Sequence, residues 1–330
     1  MSFAKRSVLV VAIMMVVIGA GWIWLNRQYL QDWRIVQSFT PTAEVAAIPE
    51  RAGMSEEGKF LFYASRPLIS DASEFNNQCA RQETSAAILG CFDGANIYLY
   101  HVENVDLDGI TEVTAAHEML HAAWSRLGER EKERLQTHLE KVYDRVKTDE
   151  LEERMAYYDR QQPGERINEL HSILATEITM LDDVLEQHYA RYFTDRQSVV
   201  SLHGKYAAIF NTLKSQSESL RREIATLLEA LNADITAHNA AVAGLEAEIL
   251  AHNDRATSVD NTNGEAVRLY NQTQASLMAR RAQLRQDEAA LARRQDEYQQ
   301  KVQEYNKLVI RSETLTDSMD SLKSPQSAAK

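Results

Sequence analysis

Thr114-Ala115-Ala116-His117-Glu118-Met119-Leu120-His121-Ala122-Ala123 is the stretch on which the reading of the whole chain turns. Apart from His117, Glu118 and His121 its residues are uncharged, so it predicts a helix able to sit inside a domain. Histidines four apart lie one turn above each other on one helical face, and their imidazoles can converge on a single zinc ion. Glu118 follows the first histidine, so its carboxylate can reach a water in the open position of the ion and take its proton. A buried helix presenting His, Glu and His with nothing to bind would be costly, because buried polar groups need partners.

Working outward, Asp108-Gly109-Ile110-Thr111 starts this helix and Gly128 ends it as a C′ residue. Upstream, Ala86 to Val102 predicts a β-hairpin around the Asp93-Gly94 turn, with Tyr98 and Tyr100 alternating against Ile97, Leu99 and His101. Before it, Ser55-Glu56-Glu57 caps a short helix that Pro67 ends. Glu129 to Lys147 predicts a charged amphipathic helix.

The H-E-x-x-H segment resembles the zincin metallopeptidases over about ten residues. A hairpin immediately before such a helix is similar to the zincin order, in which a sheet edge beside the active-site helix binds extended peptide by strand addition. The resemblance implies a third zinc ligand downstream. Asn168-Glu169-Leu170-His171-Ser172 matches five positions of the N-E-x-x-S-D motif of thermolysin-like gluzincins, whose Glu is that ligand. The sixth position is Ile173 instead of Asp, so the carboxylate that orients a ligand histidine is missing from that place.

Helical geometry over Arg166 to Met180 leaves two competitors open. Glu177 falls within the apolar stripe of Ile167, Leu170, Leu174, Ile178 and Leu181, where a carboxylate must be paired or bound. His171 stands about 200° around the helix from Glu169, so those two cannot both serve one ion; its plainer role is a flank histidine satisfied by a neighbour. Tyr157, Tyr158, His188, Tyr189 and Tyr192 are the candidate donors to an oxyanion, although aromatics at such spacings more often pack a core.

The chain has 330 residues and a net charge of −12, which excludes a nucleic-acid binder, since that needs a basic footprint. With Gly at 12 and Pro at 5, helix is favoured over all-β folds. Residues 7–25 carry no charge and have the length of a membrane span, with Lys5 and Arg6 before it and Trp22, Trp24, Tyr29 and Trp33 as an interfacial belt. The expectation is a single-pass anchor with a cytoplasmic N-terminus and the main domain outside the cytoplasm; a cleaved signal peptide is the rival. Cys79 and Cys91, the two cysteines, then predict a disulfide.

From about Ser198 the composition shifts to Gln, Glu, Arg, Ala and Leu. Leu220, Ile224, Leu227 and Leu231 open a heptad-like series that slips at Ile235, and Tyr270, Leu277, Leu284, Leu291, Tyr298 and Tyr305 repeat every seven residues. With a polar break at 257–264, this predicts an antiparallel coiled-coil helical hairpin with a thin seam, open to a coiled-coil partner or a second copy.

The expected fold is therefore mainly α with a small β-hairpin or sheet, an α+β zincin-like domain, plus an N-terminal transmembrane helix and the helical hairpin. Its expected parts are a cytoplasmic tail (1–6), anchor (7–25), linker (26–52), metallopeptidase domain (53–197), coiled-coil hairpin (198–322) and polar tail (323–330). The expected function is a membrane-anchored zinc metallopeptidase acting on protein or peptide at the cell envelope. Zn²⁺ would be held by His117, His121 and Glu169, with Glu118 as general base. The alternative is a coiled-coil envelope scaffold with a structural or degenerate zinc domain.

Overall fold

The computed structural model describes residues 14–15, 17–79 and 88–323. The described residues are mainly helical (78%), with a small three-stranded sheet. It divides into two compact units, one of residues 1–209 with 314–330 and one of residues 210–313.

The first unit is built around α5, Ile110–Arg126, the helix that carries the H-E-x-x-H stretch. Before it come α1 (Arg27–Ser38), α2 (Ala43–Arg51), α3 (Glu56–Ala64), β1 (Leu68–Ser70), α4 (Ala72–Gln78), β2 (Gly90–Phe92) and β3 (Ile97–Tyr100). Ten residues of α5 are buried, among them Val113, Ala116, Met119, Leu120 and Ala123. Small alanines on this face let neighbours approach closely, and α5 packs on α2, α3 and both strands of the hairpin. Gly109 caps its start at φ +95, with the Leu202 side chain 2.9 Å from where a Cβ would stand, so both conformation and space require glycine there. At the other end Arg126 forms a two-point ion pair with Asp32 of α1, at 2.9 Å through both Nε and Nη2.

The sheet has the order β1-β3-β2, so β3 is central, β1 pairs with it in parallel and β2 is an antiparallel edge. The expected hairpin is therefore present, with its first strand confined to Gly90–Phe92; residues 86 and 87 lie outside the described residues. In its turn the Asp93 carboxylate accepts from the backbone N–H of Ala95 and of Asn96 while Gly94 takes φ +94. The predicted Cys79–Cys91 disulfide is formed, joining the end of α4 to the edge strand.

After α5 come α6 (Glu129–Val146), α7 (Asp149–Gln161), α8 (Arg166–Glu177) and α9 (Asp183–Tyr189). The sequence expectation carried α8 on to Met180, but the helix stops at Glu177 because Ile178 turns to extended backbone. Arg196 closes that end, donating to the carbonyls of Ala175, Ile178 and Thr179.

Three further expectations are corrected. Among the described residues no helix is long and apolar enough to cross a membrane, which overturns the single-pass anchor and the localisation built on it. Residues 7–13 and 16 of the expected 7–25 span lie outside the described residues. The described remainder ends at Leu25, and α1 beyond it carries Arg27, Asp32 and Arg34. Residues 26–52 hold helices α1 and α2 in place of a linker, because Val45 and Ile48, three apart, insert into the core. Gly128 follows α5 at φ −74, an ordinary extended value, and serves as the N-cap of α6.

The second unit belongs to two long helices, α10 (Arg196–Arg255) and α11 (Gly264–Ser318). Ion pairs Glu223–Lys301, Asp234–Arg294 and Glu248–Arg280 link them in antiparallel register. Leu213, Leu245, Leu231 and Leu277 are its most buried apolar residues, so heptad positions of both helices are covered, but the seam is narrow.

A buried histidine pair gives the first unit a pH signature. His171 and His188 approach at 2.9 Å between Nε2 atoms, so one ring donates and the other accepts, and the pair needs a neutral imidazole. Burial, reinforced by Arg191 and Arg134, lowers His188 to about 4. Its folded pKa lies below its unfolded one, so the unfolded chain binds the extra proton between the two. Stability from this group is complete above the ordinary histidine range and is lost as pH falls toward 4, by up to about 3 kcal/mol. Thermal unfolding from pH 7 to 4 should therefore fall less steeply for His188→Gln than for the parent; equal slopes would show that His188 titrates normally.

Candidate metal centre

His117 and His121 project from one face of α5, and Glu169 projects from the first turn of α8, which packs across that face. Their ligand atoms lie within 4.8 Å of one another, so the group could hold a metal ion. His117 Nε2 is 3.4 Å from Glu169 Oε2, and His121 Nε2 is 3.6 Å from Glu169 Oε1. Neither contact has hydrogen-bond geometry, and Oε2, fully buried, is left without a hydrogen-bond partner. The side chains are 17%, 11% and 8% exposed in the order His117, His121, Glu169, so water does little to solvate them.

The electrostatics favour a cation. Burial pushes the Glu169 carboxyl up, but His117 and His121 outweigh it and hold the group below the usual range, as an anion. Burial pulls the His117 imidazole down, and the carboxylates of Glu169 and Glu118 outweigh that in turn, so it sits above the ordinary value. A divalent ion would supply the positive charge that a proton on His117 otherwise provides. Two imidazole nitrogens and one carboxylate are also a donor set that suits a zinc ion. The residues present therefore fit such an ion.

His121 is held in the ligating tautomer. Its Nδ1 donates to Asn168 Oδ1 at 2.9 Å, with Ser172 Oγ at 3.4 Å from the same nitrogen. Asn168 cannot turn over, because its Nδ2 donates to Glu165 Oε2 at 2.8 Å. The chain Glu165–Asn168–His121 therefore leaves the Nε2 lone pair facing Glu169 and the metal position. The missing Asp at position 173 does not leave His121 unsupported; the amide of Asn168 does the orienting from one residue before Glu169.

Glu118 is 6% exposed and sits between α5 and the edge strand. A Cβ on Gly90 would fall 2.6 Å from Thr114 Cγ2 and 3.0 Å from both Cγ and Oε1 of Glu118, so only glycine lets β2 lie this close. Burial raises the Glu118 pKa; His121 and His117 oppose the rise, as does a hydrogen bond from the Phe92 backbone N–H. The result is a carboxyl above its ordinary value, a stronger proton acceptor than a solvated glutamate.

The remaining candidates go elsewhere. Glu177 forms a two-point ion pair with Arg154 at 2.9 and 2.6 Å, with His203 Nε2 at 3.6 Å. His171 faces away from Glu169 into the core, paired with His188. Tyr189 donates to the His171 carbonyl at 2.8 Å, and Tyr192 is core. Tyr157 packs on Tyr158, with ring centroids 5.6 Å apart. Of the five oxyanion candidates, Tyr158 is the one whose hydroxyl reaches Glu169. Burial above all, with Glu169 next, pushes that hydroxyl far up, so it stays protonated and can donate. Sequence reasoning missed Glu165, Gly90 and Phe92. Asn168 was in view as the first residue of N-E-x-x-S, but its role depended on α8 crossing α5.

No protein-family model, no curated protein and no solved structure matches this chain.

The orienting chain is testable by competition with a metal indicator. Asn168→Ala should weaken divalent-metal affinity by about 10- to 100-fold, while Asn168→Asp, which retains an acceptor for Nδ1–H, should stay close to the parent. Equal affinity in all three proteins would show that His121 needs no support from α8.

Proposed function

We propose that this chain is a zinc metallopeptidase of gluzincin type, hydrolysing peptide bonds in a protein or peptide substrate. The observation that carries the reading is the convergence of His117, His121 and Glu169, whose buried Oε2 has no hydrogen-bond partner, beside a buried Glu118. Zinc bound there supplies a Lewis acid that acidifies water and polarises a carbonyl.

Glu118 takes the proton of the attacking water on its carboxylate and delivers it to the leaving amine; its raised pKa suits both halves of that task. Tyr158, held protonated, donates to the oxygen that gains charge. β2 is the sheet's edge and lies directly against Glu118, so an extended peptide adding to that edge runs past the base. The Phe92 N–H holds the Glu118 carboxylate in place between turnovers.

The second reading, a helical interaction protein with a structural metal site, draws its support from the length of α10 and α11. A structural site has no use for a buried carboxylate at Glu118, and this separates the two.

Zinc content and hydrolysis of an unstructured protein substrate are the measurements. The parent should hold one zinc per chain and His117→Ala none. Glu118→Gln should keep its zinc and lose about 10²- to 10⁴-fold in turnover. Zinc retained with no hydrolysis in the parent would favour the structural reading, and no zinc in the reconstituted parent would sink both. Tyr158→Phe should keep zinc and KM while turnover falls by about 10²- to 10³-fold; an unchanged rate would remove Tyr158 from the reaction.

A further inference from the structure

The edge strand that lies on Glu118 is short. β2 is three residues long and, among the described residues, pairs with β3 alone. Gly90 brings its backbone against Glu118 and Thr114, and Phe92 offers its N–H to the Glu118 carboxylate. Between those two residues stands Cys91, bonded to Cys79. Cys79 is fixed: it caps α4, is 3% exposed, and packs in a small cluster with Phe75, Ala72 and Tyr100. The disulfide thus ties the middle of a short edge strand to a helix with its own core.

We propose that the Cys79–Cys91 disulfide is a clasp that positions Glu118 through β2, and that its cleavage by a dithiol disarms the site while the metal ligands stay in place. The ligands lie outside the clasp's reach, because His117 and His121 are carried by α5 and Glu169 by α8. The chemistry balances as thiol–disulfide exchange. A thiolate of the dithiol attacks one sulfur, the Cys79–Cys91 bond breaks, and a mixed disulfide forms. The second thiol closes the reagent into its own disulfide, and two electrons and two protons end on Cys79 and Cys91 as thiols. Without the bond, the strand keeps the β3 ladder and its packing on α5, and a short edge paired on one side opens more easily. Glu118 then loses both the Phe92 N–H and the wall that Gly90 forms. The disarming half of this inference rests on Glu118 being the general base; the clasp itself does not.

The test uses the zinc-loaded full chain, reduced by a dithiol under native conditions, with thiol titration to count two new thiols. Hydrogen exchange of peptides covering β2, bound zinc and peptide hydrolysis are followed together. Exchange at β2 should rise by about tenfold or more, hydrolysis should fall by about tenfold or more, and zinc affinity should stay within about twofold. Reoxidation should restore exchange and hydrolysis. Cys79→Ala with Cys91→Ala should behave like the reduced parent; should that variant not fold, the reversible reduction of the folded parent decides. Unchanged exchange once both thiols are counted overturns the clasp, and so does equal hydrolysis in both states of an active parent. Loss of zinc on reduction also overturns it, because the effect then runs through the ligands. Hydrolysis absent in both states while exchange still rises overturns the peptidase reading and supports the clasp.

Discussion

A carboxylate buried beside two imidazoles, with one oxygen that makes no hydrogen bond, is the constraint on which the first unit depends. Removing an anion from water costs several kcal/mol unless a charge or a set of donors replaces the water. Glu169 has neither a backbone donor nor an arginine at Oε2. Glu177 shows what this protein does with a buried carboxylate meant only to be neutral in effect: it meets Arg154 at two points. The contrast between two glutamates on one helix separates a carboxylate that could hold a metal ion from a structural ion pair.

The rest of the unit keeps α5 and α8 in the register that this constraint needs. Gly109 seats the start of α5 against Leu202, and Arg126 ties its end to Asp32 on α1. Arg196 closes the end of α8 by taking up three carbonyls. Both helices are thus held by polar contacts at their ends and by apolar packing between, with Met119, Leu120, Leu170 and Leu174 fully buried. Side chains placed by two such helices are set more closely than loop residues, as an ion with a fixed coordination shell requires. The three-residue edge strand β2 lies against Glu118.

The legible parts of the sequence were those whose logic is local. The spacing of His117 and His121 is a property of one helix, so their convergence needed no knowledge of the fold. The Asp93-Gly94 turn, the Cys79–Cys91 pair and the heptad positions of α10 and α11 are local in the same sense. The expected membrane anchor went wrong for a related reason. An apolar run was counted as a span from composition alone, whereas the described helix passes within a few residues into charged, packed α1. The expectation of a linker over 26–52 overlooked that Val45 and Ile48, three apart, already formed an apolar stripe.

What the sequence by itself determined is the pair of histidines, the glutamate beside them, and the dominance of helix, because each follows from residue spacing along a single element. The choice among Glu169, Glu177 and His171 was made by tertiary structure, since all three sit on one helix and only its crossing of α5 decides which face meets the imidazoles. The same crossing made Asn168 the support of His121 in place of the absent Asp at position 173. Gly90 and Phe92 became neighbours of Glu118 only when the hairpin edge was laid on α5. Contacts between elements distant in sequence are set by packing, and no local pattern encodes them.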